Sequence, residues 1–333
     1  MNILQIANYT EGGGGISVQV KQLQRHLLGE GIHCDILSTK GSLGERFRSV
    51  IKLIAIGHKY DVFHVHACSN RGFLPAIIGI SCGRLFRRRI LLTFHGGEGA
   101  SFFEKREKLV RFFLSKTDAN IVLSGYIGSL FDKFGFPYVV IPNIIEPPAS
   151  VYRKRGKIVP RFISVRALFP LYNVQCILRA FAEHKKNSPE SSLVILGDGP
   201  SRMDLERYVV ENHIQDVSFL GQVPNSKIYE YLDDADILLS APRFDNMPVS
   251  LLEGFSAGLL VISSNVGGIP YMIVDGENGL LFEDDDDHGL AGKMQYAIDH
   301  PDHCRRMMEN AHDGISRYSW EENRERYLRL CQN

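Results

Sequence analysis

Met1-Asn2-Ile3-Leu4-Gln5-Ile6-Ala7 and, four residues on, Gly12-Gly13-Gly14-Gly15-Ile16-Ser17 indicate how this chain folds. The first stretch is a short apolar run of strand length, and the glycines after it lead into a helical pattern over Ser17–Leu28. A strand joined to a helix in this way is the unit of parallel α/β architecture. The glycines either let a ligand approach the backbone or simply make a tight turn. They do not form the G-x-G-x-x-G dinucleotide fingerprint.

The same alternation of strand and helix continues through both halves of the chain. In the first half the predicted strands are Ile3–Ala7, Cys34–Ser38, Val62–Val65, Ile90–Phe94, Asn120–Leu123 and Val139–Ile141, with a second helix at Lys105–Ser115. In the second half the predicted strands are Phe162–Val165, Ser192–Leu196, Val217–Leu220, Ile237–Ser240, Leu259–Ser263 and Gly279–Phe282. Pro142, Pro147 and Pro148 interrupt the pattern between the halves and predict a linker.

Two Rossmann-like α/β domains follow from this pattern. We place the first at residues 1–145 and the second at residues 146–317. Residues 318–333 are expected to form a C-terminal helix that packs back on the first domain. Because ligands of open parallel sheets bind at the carboxyl ends of the strands, we expect the two sheets to face each other across a cleft.

Charge is distributed unevenly between the halves. Residues 1–150 carry 18 Lys and Arg against 11 Asp and Glu, whereas residues 151–333 carry 20 against 27. Such asymmetry indicates a partner that meets one domain only. Arg84, Arg87, Arg88 and Arg89 form the densest basic cluster. This cluster is either an ordinary solvated loop or a patch for anionic lipid headgroups.

No targeting or membrane-spanning segment is recognisable. The chain starts directly on a strand pattern, without the basic and apolar regions of a signal peptide. The longest apolar run, Phe73–Cys82, is about half of the ~18 residues that a spanning helix needs. The six cysteines form no C-x-x-C pair, which argues against zinc and thioredoxin-like sites. A cytoplasmic protein is therefore expected, and no nucleic-acid partner.

Two loop motifs carry candidate chemistry. His95-Gly96-Gly97-Glu98 follows the predicted strand Ile90–Phe94, where a histidine either meets a substrate or is satisfied by loop backbone. The stronger motif is Phe244-Asp245-Asn246-Met247-Pro248-Val249-Ser250-Leu251-Leu252-Glu253-Gly254. Its proline suits the first turn of a helix, whose free N–H groups can hold a diphosphate. Asp245 would lie on the entering loop and Glu253 inside the helix, where a carboxylate can accept hydrogen bonds from both hydroxyls of a ribose.

The last motif resembles the E-x7-E motif of glycosyltransferase family 4, with aspartate in the first position. Four further segments resemble that family in order and spacing: Gly197-Asp198-Gly199-Pro200, Phe219-Leu220-Gly221-Gln222-Val223, Asn265-Val266-Gly267-Gly268-Ile269-Pro270 with Asp275-Gly276-Glu277-Asn278-Gly279, and the interdomain Ile141-Pro142-Asn143. The resemblance covers nearly the whole chain. It implies a GT-B fold and a retaining, metal-independent hexosyltransferase that uses a UDP- or GDP-sugar and no cofactor.

The resemblance also implies a role for each matching position. Glu253 would bind the donor ribose, and Val223 would meet the base through its backbone. The donor sugar and its phosphates would contact Asp245, Asn246, Met247, Pro248, Val249 and Ser250. His95 would lie near the transferred sugar, and Gly13 and Gly14 near phosphate or acceptor. Gly96, Gly97 and Glu98 are expected to bind the acceptor, a glycan or lipid-linked molecule of surface polysaccharide or lipopolysaccharide assembly.

Two positions depart from the family pattern. The family's phosphate site usually pairs an arginine with a lysine six residues on, and here Arg166 is followed by Tyr172. Tyrosine carries no positive charge at neutral pH, so Arg166 should bear more of the diphosphate charge. Tyr271 replaces the glutamate that normally follows the G-G-I-P sequence. The acidic run at 283–287 is interpreted as a solvated loop before a helix, not as a metal site.

Three hypotheses of function remain from the sequence. The first is an active retaining transferase in which Arg166, His95, Asp245 and Glu253 serve catalysis. The second is a nucleotide-sugar epimerase of the same fold. The third is a catalytically weak subunit that supports another transferase. The missing lysine leaves this hypothesis open, and the retention of Asp245, Glu253, Arg166 and His95 argues against it.

Overall fold

The computed structural model describes residues 1–11, 13–96, 99–148 and 150–332. Contacts divide these residues into two units. Unit 1 comprises the described residues of 1–144 together with 318–332, and unit 2 comprises those of 145–317. Each unit is built around one parallel sheet.

Unit 1 contains a six-stranded parallel sheet in the order β2-β1-β3-β4-β5-β6. Its strands are β1 (Asn2–Ala7), β2 (His33–Ser38), β3 (Val62–Ala67), β4 (Arg89–Phe94), β5 (Ala119–Val122) and β6 (Val139–Val140). Its helices are α1 (Gly15–Gly29), α2 (Leu43–Ile56), α3 (Leu74–Leu85), α4 (Gly99–Lys105), α5 (Glu107–Leu114), α6 (Gly125–Lys133) and the C-terminal helix α13 (Trp320–Gln332).

Alternating side chains of this sheet pack into two apolar clusters, one on each face. Leu4, Phe63 and Leu92 pack in one cluster with α3 and α6. Ile3, Val62 and Leu91 pack in the other with α1 and with Trp320, Tyr327 and Cys331 of α13. Because both faces are covered, the central strand β3 is buried along its whole length, as is usual in parallel sheets.

Unit 2 contains a second six-stranded parallel sheet, in the order β12-β11-β10-β7-β8-β9. Its strands are β7 (Arg161–Val165), β8 (Ser192–Leu196), β9 (Val217–Gly221), β10 (Ile237–Ser240), β11 (Leu260–Ser264) and β12 (Leu280–Phe282). Its helices are α7 (Val174–His184), α8 (Arg202–Glu211), α9 (Ile228–Asp234), α10 (Val249–Ala257), α11 (Asp287–Asp299) and α12 (Pro301–Asp313).

The predicted α/β class is confirmed, and each predicted strand is present to within two residues at either end. The helix predicted over Lys105–Ser115 is present as α5, which begins two residues later because Arg106 takes a non-helical φ of −126° and ψ of 29°. One local prediction was wrong. Pro248 lies at the N-cap of α10 in an extended conformation and not in its first turn. In the described part of the chain no helix is both long and apolar enough to cross a membrane.

Candidate active site

The predicted donor-binding residues lie on loops that leave the carboxyl ends of the unit 2 strands. Arg166 follows β7 directly, Val223 comes two residues after β9, and Asp245 lies between β10 and α10. The loops after β8 and β11 carry the glycine motifs. Since the strands are parallel, these loops gather at one edge of the sheet, which is where ligands of such sheets bind.

Arg166 and Asp245 form an ion pair at this edge, through Arg166 Nη2 and Asp245 Oδ2. Both side chains are largely buried, with 10% and 19% of their surfaces exposed. The guanidinium carbon of Arg166 also lies 4.1 Å from the centre of the Tyr172 ring. Tyr172, at the lysine position of the family, thus holds Arg166 by a cation–π contact and adds no charge. The sequence predicted roles for all three residues but not that they touch.

Arg166 Nε is buried and has no hydrogen-bond partner among the described residues. Ser250 Oγ, in the first turn of α10, is likewise buried and unpartnered within that part of the chain. Buried polar groups are normally paired, because burying one unpaired is costly. Arg166 Nε–H and the Ser250 hydroxyl are therefore free to donate to acceptor oxygens of a ligand at this sheet edge.

Glycines allow the loops to approach closely enough to build this edge. A Cβ on Gly197 would lie 1.8 Å from the carbonyl oxygen of Arg166, and one on Gly268 would lie 1.9 Å from that of Asn246. The backbone of Gly268 also donates to the carbonyl of Asp245 at 2.9 Å. Side chains at these glycines would push the loops apart. The G-D-G-P and V-G-G-I-P motifs therefore position Arg166 and Asp245.

The loop before α10 presents backbone rather than side chains. Asn246 and Met247 are buried, with 3% and 7% of their surfaces exposed. Pro248 caps the helix, which leaves the first N–H groups of α10, beginning at Val249 and Ser250, at the N-terminus without helical acceptors. These groups and the helix dipole favour an anion at this end of α10.

Glu253, the fifth residue of α10, is a half-buried acid. Burial raises the pKa of its carboxyl from 4.5 to about 7. Burial, and next the charge of Glu253, raise the pKa of Tyr229 on α9, so the two side chains lie near each other. Hydroxyl groups that donate hydrogen bonds to this carboxyl would stabilise its charged form. Val223, after β9, is half-buried.

His95 follows β4 in unit 1 and belongs to a chain of buried side chains. Its Nε2 lies 3.0 Å from Nδ1 of His66, whose Nε2 lies 3.0 Å from Oε1 of Gln5. The amide nitrogen of Gln5 donates to the carbonyl of Val20, which leaves the Gln5 oxygen to accept from His66 Nε2–H. His66 Nδ1 then accepts from His95 Nε2–H, so the contact fixes the tautomer and direction of His95.

A second chain of hydrogen bonds lies beside the first on the same sheet face. His64 Nδ1 lies 2.9 Å from the hydroxyl of Tyr327 on α13, and its Nε2 lies 2.7 Å from Oγ1 of Thr93. The rings of His64 and His66 are 4.1 Å apart. Sequence reasoning missed these partners of His95. The available signal was His64-Val65-His66, two histidines on one face of an otherwise apolar strand.

All three histidines are held neutral. Burial lowers the pKa of His64 to about 3 and that of His95 to about 4. The pKa of His66 is well below its ordinary value, first through burial and then through its histidine neighbours. His95 therefore acts as a neutral, oriented imidazole at pH 7.

We expect acid to destabilise unit 1 through these histidines. The unfolded chain takes up protons near pH 6.5, whereas the folded values are about 3 for His64 and about 4 for His95. Stability is therefore complete above pH 6.5 and falls as the pH drops from 6.5 towards 4. Trp320, the only tryptophan, is buried in unit 1, so its fluorescence in urea titrations reports this unit.

In the variant His64→Gln, the loss of stability between about pH 6.5 and about pH 5 should be less steep than in wild type. The matched control is His58→Gln, at an exposed position, which should lose stability as steeply as wild type does. An equal pH dependence in wild type and His64→Gln would contradict the assignment.

The predicted glycine turn of unit 1 lies at the start of α1. Gly13 N donates to the carbonyl of Thr10 at 3.0 Å, and Gly14 is the N-cap of α1. Gly96 follows His95 directly. Gly97 and Glu98, the other predicted acceptor-binding residues, lie outside the described residues, as does Gly12.

The arginine cluster at 84–89 is partly engaged within unit 1. Arg84 pairs with Asp118 at 3.2 Å, Arg88 donates to the carbonyl of His58 at 2.7 Å, and Arg89 donates to that of Leu330 at 2.5 Å. Arg87 is exposed. The cluster thus contributes to the fold as well as to the surface charge.

The acidic run lies on an exposed loop that leads into α11, and its central residues also make contacts within unit 2. Asp285 accepts hydrogen bonds from Asn173, Arg179 and Arg243, and these contacts lower its pKa to about 2. Asp286 caps α11 through the backbone of Gly289. The run therefore joins the starts of α7 and α11. Across the described residues, no group of three His, Cys, Asp or Glu side chains is placed to hold a metal ion.

Comparisons with known proteins agree with this architecture. The family model described as Glycosyltransferase Family 4 matches residues 13–147, and that described as Glycosyl transferases group 1 matches residues 153–313. The N-acetyl-alpha-D-glucosaminyl L-malate synthase of Bacillus anthracis is 32% identical over 281 residues, which cover 79% of this chain and 71% of the relative. The alpha-monoglucosyldiacylglycerol synthase of Streptococcus pneumoniae is 25% identical over 281 residues, covering 76% of this chain and 62% of the relative.

Among solved structures, Anabaena HepE in complex with UDP-glucose shares the fold with a TM-score of 0.80 and 16% identity, over 100% of both chains. Two parallel six-stranded α/β units and this likeness define the GT-B fold, and the two family models define a glycosyltransferase. The chain belongs to glycosyltransferase family 4.

Proposed function

We propose that this protein transfers a hexose from a UDP- or GDP-sugar to a glycan or lipid-linked acceptor, with retention of the anomeric configuration. The observation that carries the proposal is Arg166, a largely buried cation whose Nε has no partner among the described residues. A cation fixed in advance at a water-poor sheet edge is suited to the charge that develops on a departing diphosphate. Arg166 and the N-terminus of α10 at Pro248–Ser250 would share that charge.

The proposed reaction needs no protein nucleophile. The bond between the donor's anomeric carbon and the β-phosphate oxygen breaks, and the acceptor oxygen bonds to that carbon on the same face. The proton of the acceptor hydroxyl passes to the departing phosphate. Asp245 and backbone groups of Asn246, Met247 and Pro248 would hold the sugar, and Glu253 would hold the ribose. Val223 would meet the base.

The residues of unit 1 are proposed to serve the acceptor side. His95, neutral and held by His66, would orient hydroxyl groups near the transferred sugar. Gly13, Gly14 and Gly96 would bring backbone groups to phosphate or acceptor, and Gly97 and Glu98 keep the acceptor role that the sequence predicts.

The relatives suggest where to begin with substrates. HepE is described in complex with UDP-glucose, and two relatives are named as synthases of a glucosaminyl malate and a glucosyldiacylglycerol. UDP-linked hexoses and N-acetylhexosamines are therefore the first donors to test, with lipid-linked and small hydroxylated acceptors. We propose a role in surface polysaccharide or lipopolysaccharide assembly, on the cytoplasmic side of a membrane.

A donor panel tests the function directly. The purified protein is incubated with UDP- and GDP-sugars and candidate acceptors, while nucleoside diphosphate release and products are followed by mass spectrometry. We expect acceptor-dependent release of the diphosphate from one donor, with a product of unchanged anomeric configuration. Conversion of the donor to its epimer, or tight binding without turnover over the full panel, would reject the proposal.

We expect transfer to proceed without a divalent metal. Arg166 and the free N–H groups of α10 supply the positive charge that a metal would otherwise provide. Activity should be the same with EDTA, with added Mg²⁺ and with added Mn²⁺. Loss of activity in EDTA that is recovered by Mn²⁺ or Mg²⁺ would show that this expectation is wrong.

We further propose that unit 1 meets an anionic membrane, with the arginine cluster of Arg84, Arg87, Arg88 and Arg89 contributing charge. The excess of Lys and Arg over Asp and Glu in residues 1–150 and the exposure of Arg87 support this proposal. Since Arg84, Arg88 and Arg89 also hold backbone groups of unit 1, Arg87 is the position to change without disturbing the fold.

A further inference from the structure

Helix α2 turns large apolar side chains towards solvent. Leu43, Phe47, Ile51 and Ile54 are 87%, 66%, 52% and 50% exposed, and we call these four residues the α2 ridge. They recur at intervals of three or four residues, so they form a single stripe along the helix. Leu53, on another side of the same helix, is fully buried and anchors α2 to unit 1. A contiguous exposed apolar stripe marks an interaction surface.

Basic side chains flank the ridge. Arg48 and Lys52 are exposed, about a third of a helical turn from the ridge. Arg46 lies on the opposite flank, with Nε bonded to the carbonyl of Gly41. The helix contains one acid, Glu45, whose carboxylate is used in the capping box with Ser42. The face therefore combines an apolar stripe with net positive charge.

The ridge adjoins the arginine cluster. Gly57, which follows α2, lies so close to Phe86 that a Cβ there would be 2.8 Å from its ring. Arg88 donates to the carbonyl of the next residue, His58. Leu85, between these arginines, is 68% exposed. Apolar and basic groups thus continue from α2 to the end of α3 on one surface of unit 1.

We infer that the α2 ridge inserts into an anionic bilayer, with α2 lying in the plane of the interface. An amphipathic helix with leucine, isoleucine and phenylalanine on one face and basic residues beside them is suited to bury its apolar face between headgroups and acyl chains. Arg48, Lys52 and Arg87 would contact the anionic headgroups. The inference rests on the proposed docking of unit 1 to an anionic membrane, and it does not depend on the sugar-transfer reaction.

Charge argues for a bilayer and against a second copy of the chain. A two-fold interface through the ridge would bring Arg48 and Lys52 towards the same residues of the other copy. A stable dimer also buries about 800 Å² on each partner, which four side chains on one helix do not supply. An anionic lipid surface meets both the apolar and the basic groups.

The test is co-sedimentation of the whole protein with phosphatidylglycerol–phosphatidylcholine vesicles and with pure phosphatidylcholine vesicles. We expect binding to the anionic vesicles only, weakened by salt. Phe47→Ser with Ile51→Ser should lower the partition coefficient at least about tenfold, because two apolar side chains no longer enter the lipid. Arg48→Gln with Lys52→Gln and Arg87→Gln should weaken binding and its salt dependence. The matched control is Met203→Ser with Val210→Ser, exposed apolar positions on α8 of unit 2.

A fluorescent probe reports insertion itself. Phe47→Trp should shift its emission to the blue on adding anionic vesicles and be quenched by brominated lipid, while Trp320 stays in the core of unit 1. Unchanged binding by the Phe47/Ile51 variant, equal binding to neutral vesicles, or no binding by wild type would overturn the inference. So would a wild-type dimer that the ridge substitutions dissociate. Normal nucleoside diphosphate binding by the ridge variant separates this result from failure of the proposed reaction.

Discussion

Arg166→Ala is expected to lower kcat by about 10²–10³-fold, the scale for losing one fixed stabiliser of developing charge. Two cations usually share the diphosphate in this family, and here the second position is Tyr172. The ring of Tyr172 lies against Arg166 and supports its orientation, but it supplies no charge. Arg166 thus remains the one cation of the expected pair. Lysine lacks the planar guanidinium group of arginine, which has several N–H donors, so Arg166→Lys should recover only part of the rate.

The measurement is steady-state release of nucleoside diphosphate, with thermal melts to confirm folding. Melts matter because Asp245 loses its ion-pair partner in Arg166→Ala. Arg207→Ala, which removes an exposed arginine of α8, is the matched control. Tyr172→Lys restores the family residue and should hold or raise activity and tighten diphosphate binding. Near-normal turnover of a folded Arg166→Ala protein would mean that another cation serves the phosphate.

Glu253→Ala is expected to weaken nucleoside diphosphate binding by about 10–150-fold, the equivalent of ~1.5–3 kcal/mol for hydrogen bonds to a charged group. The carboxyl of Glu253 has a pKa of about 7, because its partial removal from water disfavours the charged form. Ribose hydroxyls donate to the carboxylate, so wild-type affinity should rise as the pH increases through about 7. Glu253→Gln should remove most of this pH dependence.

Calorimetry of the nucleoside diphosphate at several pH values measures both effects. Glu230→Ala, at an exposed position on the neighbouring helix α9, is the control and should bind as wild type does. Unchanged affinity in a folded Glu253→Ala protein would exclude this residue from the ribose site, and the position of the base and sugar would then need to be reassigned.

Much of the fold could be predicted because the patterns that indicate strands, helices and turns lie in consecutive residues. Alternating apolar runs and helical segments predicted both parallel sheets. The glycines at 197, 199, 267 and 268 lie where the backbones of neighbouring loops approach each other closely. Helix ends were less predictable. Helix α5 begins at Glu107, two residues later than predicted, because Arg106 takes a non-helical conformation, and Pro248 stands just outside α10.

The sequence by itself therefore determined the class of fold, the family and the residues with candidate chemistry, since each depends on short motifs and their order. Only the tertiary structure decided which of these residues touch. Arg166 meets Asp245 across 79 positions of sequence, and Tyr327 reaches His64 across 263. Asp285 pairs with Arg179 of α7 and with Arg243 of the loop after β10. Such contacts depend on how strands and helices pack in space. Hydrophobic periodicity along the chain reports only local structure, so it cannot show which residues far apart in sequence will touch.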